Sequence, residues 1–442
     1  MSIKRKILIF ILILISSSSV YSQIYMKGEI LKTNIQSDTN AIRLNAIEIF
    51  GNEKTKDYII RRELYFDEGE SVKFSELSLA QKRLLNLFLF NRVIFDLTTE
   101  GENYNLAIHV SELWYIFPVP VFYLNERSWS KLSYGAKLLY YNFLGRNILL
   151  NLSAAFGYNP EWKFSYRNPW FGGKLKLFTN ISIYKSRVRS KTLEFEKTDD
   201  KRTGINWLLG RRFGKYFYLS SYFEYVEIDH PLITMSRDKI DKISIYGIEF
   251  KWDNRDLIEY PHKGFLASTW LRKTVGDEPI NYLRYGMDVR SYIPVTRETT
   301  LALRSALKLS QRNIPFYDRS YFGYAERIRG RFYEKYEGEN LFTGNIEFRF
   351  PIKRIQYLDL SEFAIPGFES YYENLKYGLS GGIFYDFGKV WFQKDSYNDS
   401  EYLSGFGAGL HIHMPYVDVF RLEVAFDPDW NHELIAEVAV AF

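Results

Sequence analysis

Ser380 is the residue whose neighbours come nearest to those of a catalytic nucleophile. The run Gly378-Leu379-Ser380-Gly381-Gly382 has the spacing G-x-S-x-G. That motif exposes a serine for acyl transfer where a strand turns sharply into a helix. A strand-like pattern follows Gly382 instead, so we interpret the match as accidental.

His411 and His413 are the other residues that could do chemistry. Because they lie two residues apart on a strand, they share a face. One of them could act as a base for Ser380, or both could bind a metal. Third and fourth ligands are not evident, and no phosphate loop or metalloprotease helix occurs. We therefore predict no enzymatic activity, no metal and no cofactor, with both histidines as ordinary strand residues. A hydrolase that pairs Ser380 with one histidine stays open as an alternative.

The composition is that of a large ordered structure rich in aromatic residues. The 442 residues include 9 Trp, 35 Tyr and 35 Phe, and hydrophobic residues make up 46%. This apolar content excludes disorder over most of the chain. With no cysteine, the sequence also excludes disulfides, thiolate metal sites and lipid attachment through cysteine.

The N-terminus has the pattern of a secretory signal peptide. Lys4-Arg5-Lys6 precede the short apolar run from Ile7 to Ile15, and Val20-Tyr21-Ser22 offers a cleavage site. We predict a signal peptide over residues 1–22, too short for a comfortable transmembrane helix. Its removal leaves 55 of the 58 basic residues against 53 acidic ones, a net charge of +2. Without a concentrated basic face, nucleic acid is not a predicted partner.

A small α+β domain is predicted after a polar tether over residues 23–41. Residues 42–112 alternate like a strand, show two helical patterns, and then alternate again in two short runs. The order β-α-α-β-β predicts a three-stranded sheet with two helices on one face. The predicted elements are strand Ile42 to Ile49, helices Thr55 to Leu64 and Phe74 to Phe90, and strands around Val93 to Leu97 and Leu106 to Val110.

Residues 113–442 predict a transmembrane β-barrel. Runs of about ten residues place an apolar or aromatic side chain at every second position, as in Ile148 to Tyr158 and Leu434 to Phe442. Together with a signal peptide and abundant aromatic residues, this alternation favours a barrel over a soluble sandwich. At roughly 20 residues per strand and connection, the segment predicts about 16 antiparallel strands. Closure is required, because lipid leaves no other way to satisfy a sheet's backbone.

Pro118 and Pro120 lie two residues apart where the first barrel strand is expected. If both are in the strand, their missing N–H groups fall on one edge and weaken its pairing to the last strand. Alternatively, both belong to the linker and the strand begins at Val121. The sequence leaves these two interpretations open.

At the level of motifs, the chain resembles the outer membrane protein 85 (Omp85) superfamily, which joins periplasmic POTRA domains to a 16-stranded barrel. In residues 42–112, the turn Gly51-Asn52-Glu53-Lys54-Thr55 and the later Arg61-Arg62-Glu63-Leu64 and Leu89-Phe90-Asn91-Arg92-Val93 are similar to the POTRA pattern. In the barrel, the resemblance rests on turns that follow one another in the expected order: Asn142 to Arg146, Tyr166 to Pro169, and Asp253 to Asp256 with Pro261 and Gly264.

Three further motifs resemble the parts of an internal latch. Ile328-Arg329-Gly330 is similar to the sixth-loop signature, Gly344-Asn345-Ile346-Glu347 to the twelfth-strand motif, and Phe384-Tyr385-Asp386-Phe387-Gly388 to the thirteenth-strand motif. The resemblance implies that the loop arginine, Arg329, bonds Glu347 and Asp386 inside the barrel. The alternation supports this, because Glu347 lies on the face opposite Ile346, and Gly388 shares the face of Asp386 and leaves room for a loop. Arg331 departs from the family pattern, which has an aromatic residue after Gly330.

The resemblance implies an outer-membrane protein of a Gram-negative bacterium, with its POTRA domain in the periplasm, that inserts or translocates other proteins. Clients would add a strand to the POTRA sheet, the seam between first and last strands would open laterally, and Phe442 would end the last strand. The implied partners are outer-membrane lipids and unfolded outer-membrane or exported clients, with periplasmic chaperones or assembly lipoproteins as further candidates. A dedicated exporter of one protein, a passive channel and a barrel phospholipase are the alternatives. A single POTRA domain favours a specialised role.

Overall fold

The computed structural model describes residues 41–124, 129–189, 198–323, 325–331, 334–366, 368–395, 401–415, 417–438 and 441–442. The predicted signal peptide and all but the last residue of the predicted tether lie outside these ranges. Within them, no helix is long and apolar enough to cross a membrane.

The small N-terminal domain is a four-stranded sheet with two helices. Its elements are β1 Ala41–Phe50, α1 Asp57–Leu64, β2 Ser71–Lys73, α2 Phe74–Leu85, β3 Phe90–Glu100 and β4 Asn103–Glu112. The order across the sheet is β2-β1-β4-β3, with β1 parallel to β4 and the other pairs antiparallel. Buried Leu44, Ile59, Leu77 and Ile108 belong to its core.

Two details of this domain differ from the prediction. β2 adds a fourth strand, but three residues are too few to show an alternation in the sequence. Helix α2 ends at Leu85 and not at Phe90, because Phe88 adopts a left-handed backbone conformation (φ 56°) that no α-helix can continue through. Phe90 then opens β3.

The remaining strands confirm the predicted barrel. Sixteen antiparallel strands form one sheet of the described residues, and each strand pairs with its neighbour in the chain except where β15 pairs with β18. β16 and β17 lie in the loop between those two. The bounds are β5 Ile116–Leu124, β6 Leu132–Phe143, β7 Ile148–Gly157, β8 Glu161–Phe171, β9 Leu177–Arg189, β10 Asp199–Phe213, β11 Phe217–Asp229, β12 Ile240–Asp253, β13 Gly264–Gly276, β14 Asn281–Pro294, β15 Thr300–Gln311, β16 Ser320–Phe322, β17 Tyr336–Gly338, β18 Asn340–Leu358, β19 Leu375–Trp391, β20 Leu403–Met414, β21 Val417–Phe426 and β22 His432–Val438.

The alternation predicted for these strands separates an apolar outer face from a polar inner one. In β18, Ile346 and Phe348 are exposed on the outside, whereas Glu347 and Arg349 between them are buried. Such a face suits lipid, and the opposite face suits a lumen. The turns at the end of the barrel nearest the N-terminal domain are short, apart from the 10-residue connection between β12 and β13 and the 16-residue connection between β18 and β19.

The connection between β15 and β18, described at residues 312–323, 325–331 and 334–339, folds back into the lumen, and we call it the sixth loop. Its strands β16 and β17 pair with each other. Buried Phe322 and Ile328 of this loop cluster with Leu341 of β18 and Leu403 of β20. Apolar burial therefore holds the loop against the inner wall.

Candidate functional site

Arg329 binds the two acids that the sequence motifs predict. Glu347 lies on β18 and Asp386 on the adjacent β19, where Asn345 is the register partner of Asp386. The guanidinium donates from Nε and Nη2 to the two oxygens of Asp386 at 2.7 and 2.8 Å, and from Nη1 to Glu347 at 2.8 Å. All three side chains are buried. A planar fork that bonds one carboxylate bidentately and a second at its tip suits arginine and not lysine.

A third carboxylate completes the site. Glu423 of β21 accepts a hydrogen bond from Arg329 Nη1 at 3.0 Å. Burial alone would lower the pKa of Arg329, but Asp386, Glu347 and Glu423 raise it well above its ordinary value. Sequence reasoning missed Glu423. The signal available was the alternation of β21, which places Arg421 and Glu423 together on the inner face.

Two more arginines balance the acids. Arg349 donates to Glu347 at 2.6 Å, and Arg421 donates to Glu423 at 2.7 Å. The Phe384 ring lies 3.5 Å from the central carbon of Arg329, a cation–π distance. Three arginines and three acids thus make a neutral, hydrogen-bonded network, which is the condition for burying charge in a protein.

Glycines let the loop tip lie against the wall. Gly330 has φ 98°, and a Cβ there would collide with the backbone of Phe426 at the end of β21. A Cβ on Gly405 of β20 would overlap the carbonyl oxygen of Arg329. A Cβ on Gly388 would come within 2.7 Å of Phe322 in the loop. The strands are therefore shaped to receive this loop.

Arg331, the departure from the family pattern, forms its hydrogen bonds with groups other than Glu347, Asp386 and Glu423. It donates to Glu334 at 2.8 Å and to the Ser404 carbonyl at 3.2 Å. Arg331 therefore stabilises the loop internally and attaches it to β20, and it is not part of the Arg329 network.

Ser380 and His413 do meet, but on the inner wall. Ser380 Oγ lies 3.0 Å from His413 Nε2, and both side chains are buried. His413 Nδ1 has no hydrogen-bond partner among the described residues, whereas a serine hydrolase needs a group there to orient the imidazole. β19 continues as a strand beyond Gly382, without the turn into a helix. No group of three potential metal ligands occurs in the described part of the chain.

Tyr260 connects the histidines to the network. Its hydroxyl lies 2.8 Å from His411 Nδ1, and Arg349 stacks on its ring at 4.9 Å. His411 Nε2 is in turn 3.6 Å from Glu423. Tyr260 comes from the turn between β12 and β13, so this turn crosses the mouth of the barrel.

Pro118 and Pro120, the predicted seam residues of the first barrel strand, lie inside that strand. Pro118 and Pro120 lie within β5, which pairs with β6 from Ile116 to Leu124 without a register shift. The strand therefore begins at Ile116 and not at Val121. Proline is tolerated where its missing N–H faces a free edge. In the described residues β5 pairs only with β6, and β22 only with β21.

Phe442 lies inside the barrel, although strand alternation places it on the outer face with Leu434, and its role at the end of the last strand stays a prediction. The described part of β22 runs to Val438, and residues 439–440 lie outside the described residues. Phe442 is buried inside the barrel against Tyr292 and Ala302, and the Arg349 guanidinium lies 5.5 Å from its ring. The ring gains apolar burial and a cation–π contact there, which strand alternation alone cannot show.

Gly51, Asn52 and Thr55 form the turn that attaches the N-terminal domain to the barrel. Gly51 has φ 83°, and Asn52 donates to the Thr55 carbonyl at 2.9 Å. The Thr55 hydroxyl accepts from Asn142, near the end of β6, at 2.8 Å. The backbone N–H of Thr55 donates to Glu112 at 2.7 Å. The turn therefore docks one domain on the other.

Tyr115 lies in the short linker between β4 and β5, against this contact. Burial, and then the nearby Glu112 carboxylate, raises the pKa of Tyr115 above its ordinary value. Its phenol therefore stays protonated and donates to the Leu89 carbonyl at 3.1 Å. The linker is thus held to the N-terminal domain by a buried hydrogen bond.

Two further sites of contact hold the N-terminal domain to the barrel. Glu63 and Asp256 lie in motifs of the family resemblance, but those motifs do not predict that the two residues dock the domains. Lys82 of α2 forms an ion pair with Asp256 at 3.1 Å, and Asn86 donates to the Asp256 carbonyl at 3.0 Å. Arg212 of β10 pairs with Glu63 of α1 at 3.2 Å. The domain thus contacts several turns around the rim.

Comparison with known proteins agrees with this architecture. Residues 142–432 match the model of the Omp85 superfamily domain, and residues 42–113 match the POTRA model, described as a surface antigen variable number repeat. The chain is 21% identical over 308 residues to the outer membrane protein assembly factor BamA of Nitratidesulfovibrio vulgaris. That match covers 65% of this chain and 38% of the relative. The chain therefore spans well under half of this relative's length.

Two solved structures show the same fold. CdiB from Escherichia coli has a TM-score of 0.60 at 12% identity, covering 90% of this chain and 75% of that one. BamA from Haemophilus ducreyi lacking POTRA domains 1–3 has a TM-score of 0.50 at 18% identity, with coverages of 90% and 83%. Because the Omp85 model matches more than half of the chain, this protein belongs to the Omp85 superfamily, as an outer-membrane β-barrel with a periplasmic POTRA domain.

Proposed function

We propose that this protein assists the insertion or translocation of other proteins at the outer membrane. The observation that carries the proposal is the seam: in the described sheet, β5 and β22 each have only one strand neighbour. Unpaired strand edges accept a strand from another chain. The seam is therefore where a client strand would pair before release into the lipid.

The POTRA domain is well placed to deliver a client to that seam. Only residues 113–115 separate β4 from β5, so the domain is joined directly to one of the two seam strands. β2 and β3 are the outer strands of its described sheet. We infer that clients add a strand to one of these edges, with periplasmic chaperones or assembly lipoproteins as additional partners.

The site residues support a mechanical role and not a catalytic one. Arg329 and its three acids form a closed network of hydrogen bonds, and Ser380 and His413 face the lumen, where they cannot reach the lipid outside. We propose that the protein is not an enzyme and that Arg329 is the latch that holds the sixth loop against the wall.

A dedicated exporter of one partner is the second candidate, supported by the single POTRA domain in the described part of the chain. Depletion followed by outer-membrane proteomics separates the possibilities. Broad loss of barrel proteins is the result expected for an insertase, and loss of one protein that for an exporter. Unchanged protein levels with altered permeability would contradict both and indicate a passive channel.

A further inference from the structure

The last strand, β22, is held from inside the barrel. Its outer face carries Leu434 and Val438, which are 73% and 57% exposed. Its inner face carries Glu433, Ile435 and Glu437. Ile435 is buried against Phe384 and Ala425, and the two glutamates contact the sixth loop.

The first of these contacts is with the backbone of the loop tip. The Gly330 N–H donates to Glu433 Oε1 at 2.6 Å, and Glu433 is 6% exposed. Because a Cβ at Gly330 would collide with the end of β21, the tip is seated closely against the strands that precede β22. A short charge-assisted hydrogen bond in a buried place is among the stronger contacts that a strand edge can have.

The second contact is an ion pair nearer the periplasmic end of the strand. Arg327 of the loop pairs with Glu437, which also accepts from Arg421 Nη2 of β21 at 3.0 Å. Both partners of the Arg327 pair are about a third exposed, so this contact is weaker than the first.

The same loop is fixed independently to parts of the wall away from the seam. Glu326 bonds Arg304 and Lys308 of β15, each at 3.1 Å. Arg329 bonds β18 and β19, as described above. The loop therefore connects β22, which has one strand neighbour in the described sheet, to β15, β18 and β19, which have two each.

We infer that the sixth loop is the clasp of the seam: β22 must leave Gly330 and Arg327 before the seam opens, while the loop stays attached to β15, β18 and β19. This inference rests on the proposed function. It makes Glu433 and Glu437 positioning residues, which set the place of the strand and take no part in client contacts.

The test uses the absence of cysteine in the chain. Arg327→Cys with Glu437→Cys would be joined by a short reducible thiol crosslinker, which ties the loop to β22. The matched control joins Glu326→Cys to Lys308→Cys, which ties the same loop to β15. Both proteins are reconstituted in phospholipid vesicles, and insertion of an unfolded barrel client is measured before and after reduction.

The 327–437 crosslink should lower insertion at least tenfold, with recovery on reduction, and the 326–308 crosslink should change it less than twofold. Insertion that continues through the 327–437 crosslink would overturn the inference. So would equal inhibition by both crosslinks, because it would mean that loop immobility matters and release of β22 does not.

A second measurement needs no client. Glu433→Gln with Glu437→Gln should make amide hydrogen exchange in residues 432–438 roughly tenfold faster, with β18 unchanged, because a strand that is held less tightly opens locally more often. Glu249→Gln is the matched control, a strand carboxylate of β12 that bonds Ser268. Unchanged exchange in β22 would overturn the inference. Absence of client insertion in every reduced protein, with faster exchange in β22, would refute the proposed function and leave the clasp standing.

Discussion

At the residue scale, the acids around Arg329 are not equivalent. Asp386 accepts two guanidinium hydrogen bonds and the backbone N–H of Arg329. Glu347 accepts hydrogen bonds from two arginines, Arg329 and Arg349. Loss of Arg329 would therefore remove the guanidinium bonds to Asp386, whereas Glu347 would keep a charged donor.

Arg329→Ala should release the sixth loop and lower activity. Breaking a buried ion pair by removing one partner costs about 3–5 kcal/mol, although the remaining arginines reduce this. The measurement is limited proteolysis, with increased cleavage between Tyr321 and Asn340 as the expected result. Lys201→Ala is the control, because it removes a positive charge from an exposed ion pair of the barrel that does not contact the loop. Unchanged loop protection in Arg329→Ala would show that the latch assignment is wrong.

Conservative variants should rank in an order set by the geometry. Arg329→Lys should rescue only in part, since a point charge cannot bond all three acids. Asp386→Asn should release the loop more than Glu347→Gln, because Glu347 retains Arg349. Combined with Arg329→Ala, either variant should add less than its own effect, as measured by proteolysis rates, because the residues act on one contact. Full additivity would contradict a shared network.

Gly405→Ala should displace the loop without touching a charge. Its Cβ would overlap the Arg329 carbonyl oxygen, and overpacking typically costs about 1–3 kcal/mol. Faster proteolysis of the loop is the expected readout. Gly247→Ala is the control, since its Cβ comes no nearer than 3.1 Å to any neighbour. Equal loop protection in both variants would refute the close fit.

The sequence predicted Arg329, Glu347 and Asp386 because each lies in a recognisable motif. It could not predict Glu423, Arg349 or Arg421, which belong to the same network without one. Alternation shows that such residues face inward, but not which of them meet. Arg349 meets Glu347 on its own strand, whereas Glu423 and Arg421 meet the network through the combined strand shifts from β18 to β21, which alternation alone does not give.

At the element scale, the strands were predictable because the lipid imposes one rule on every outer face. Alternation therefore predicted the barrel, and the length of residues 113–442, at roughly 20 residues per strand and connection, predicted its strand number. It failed where another force decides, as at β2, which is too short to alternate, and at Phe442, whose ring is buried in the lumen. The position of Pro118 and Pro120 inside β5 was one of two open interpretations.

If the seam between β5 and β22 opens during function, a covalent link across it should stop insertion. Phe122→Cys combined with a cysteine at one of the positions from Leu434 to Val438 would provide the link, with no competing thiol in the chain. The expected result is a disulfide on gels under oxidation and loss of client insertion, restored by reductant. A cysteine pair between β9 and β10 at Ile183 and Ile205, which are register partners, is the control. Insertion through a fully crosslinked seam would refute lateral opening.

At the scale of the whole molecule, the POTRA domain is fixed to the barrel at separate points of the rim. Thr55 meets Asn142, Glu63 meets Arg212, and Lys82 meets Asp256. The partners are 87 to 174 residues apart in the chain, and none lies in a motif for docking. Sequence reasoning predicted both domains but could not predict their orientation, because such contacts are specific to the docked surfaces.

Breaking two of these points should let the POTRA domain move while the barrel stays folded. Arg212→Gln removes the buried ion pair with Glu63, and Asp256→Asn weakens the contact with α2, so together they should leave the turn at Thr55 and the contact of Arg92 and Ser111 with Asn374. Spin labels at Glu102→Cys in the POTRA domain and Asp229→Cys at the far end of the barrel would report the distance between them. We expect a narrow distribution in the parent and a broad one in the double variant.

Heat-modifiable migration on gels should persist in both, since a closed barrel resists detergent until boiled. Lys273→Ala, which removes an exposed hydrogen bond to Asn281 within the barrel, is the control and should leave the distribution narrow. A narrow distribution in the double variant would mean that the remaining contacts orient the domain without these two ion pairs.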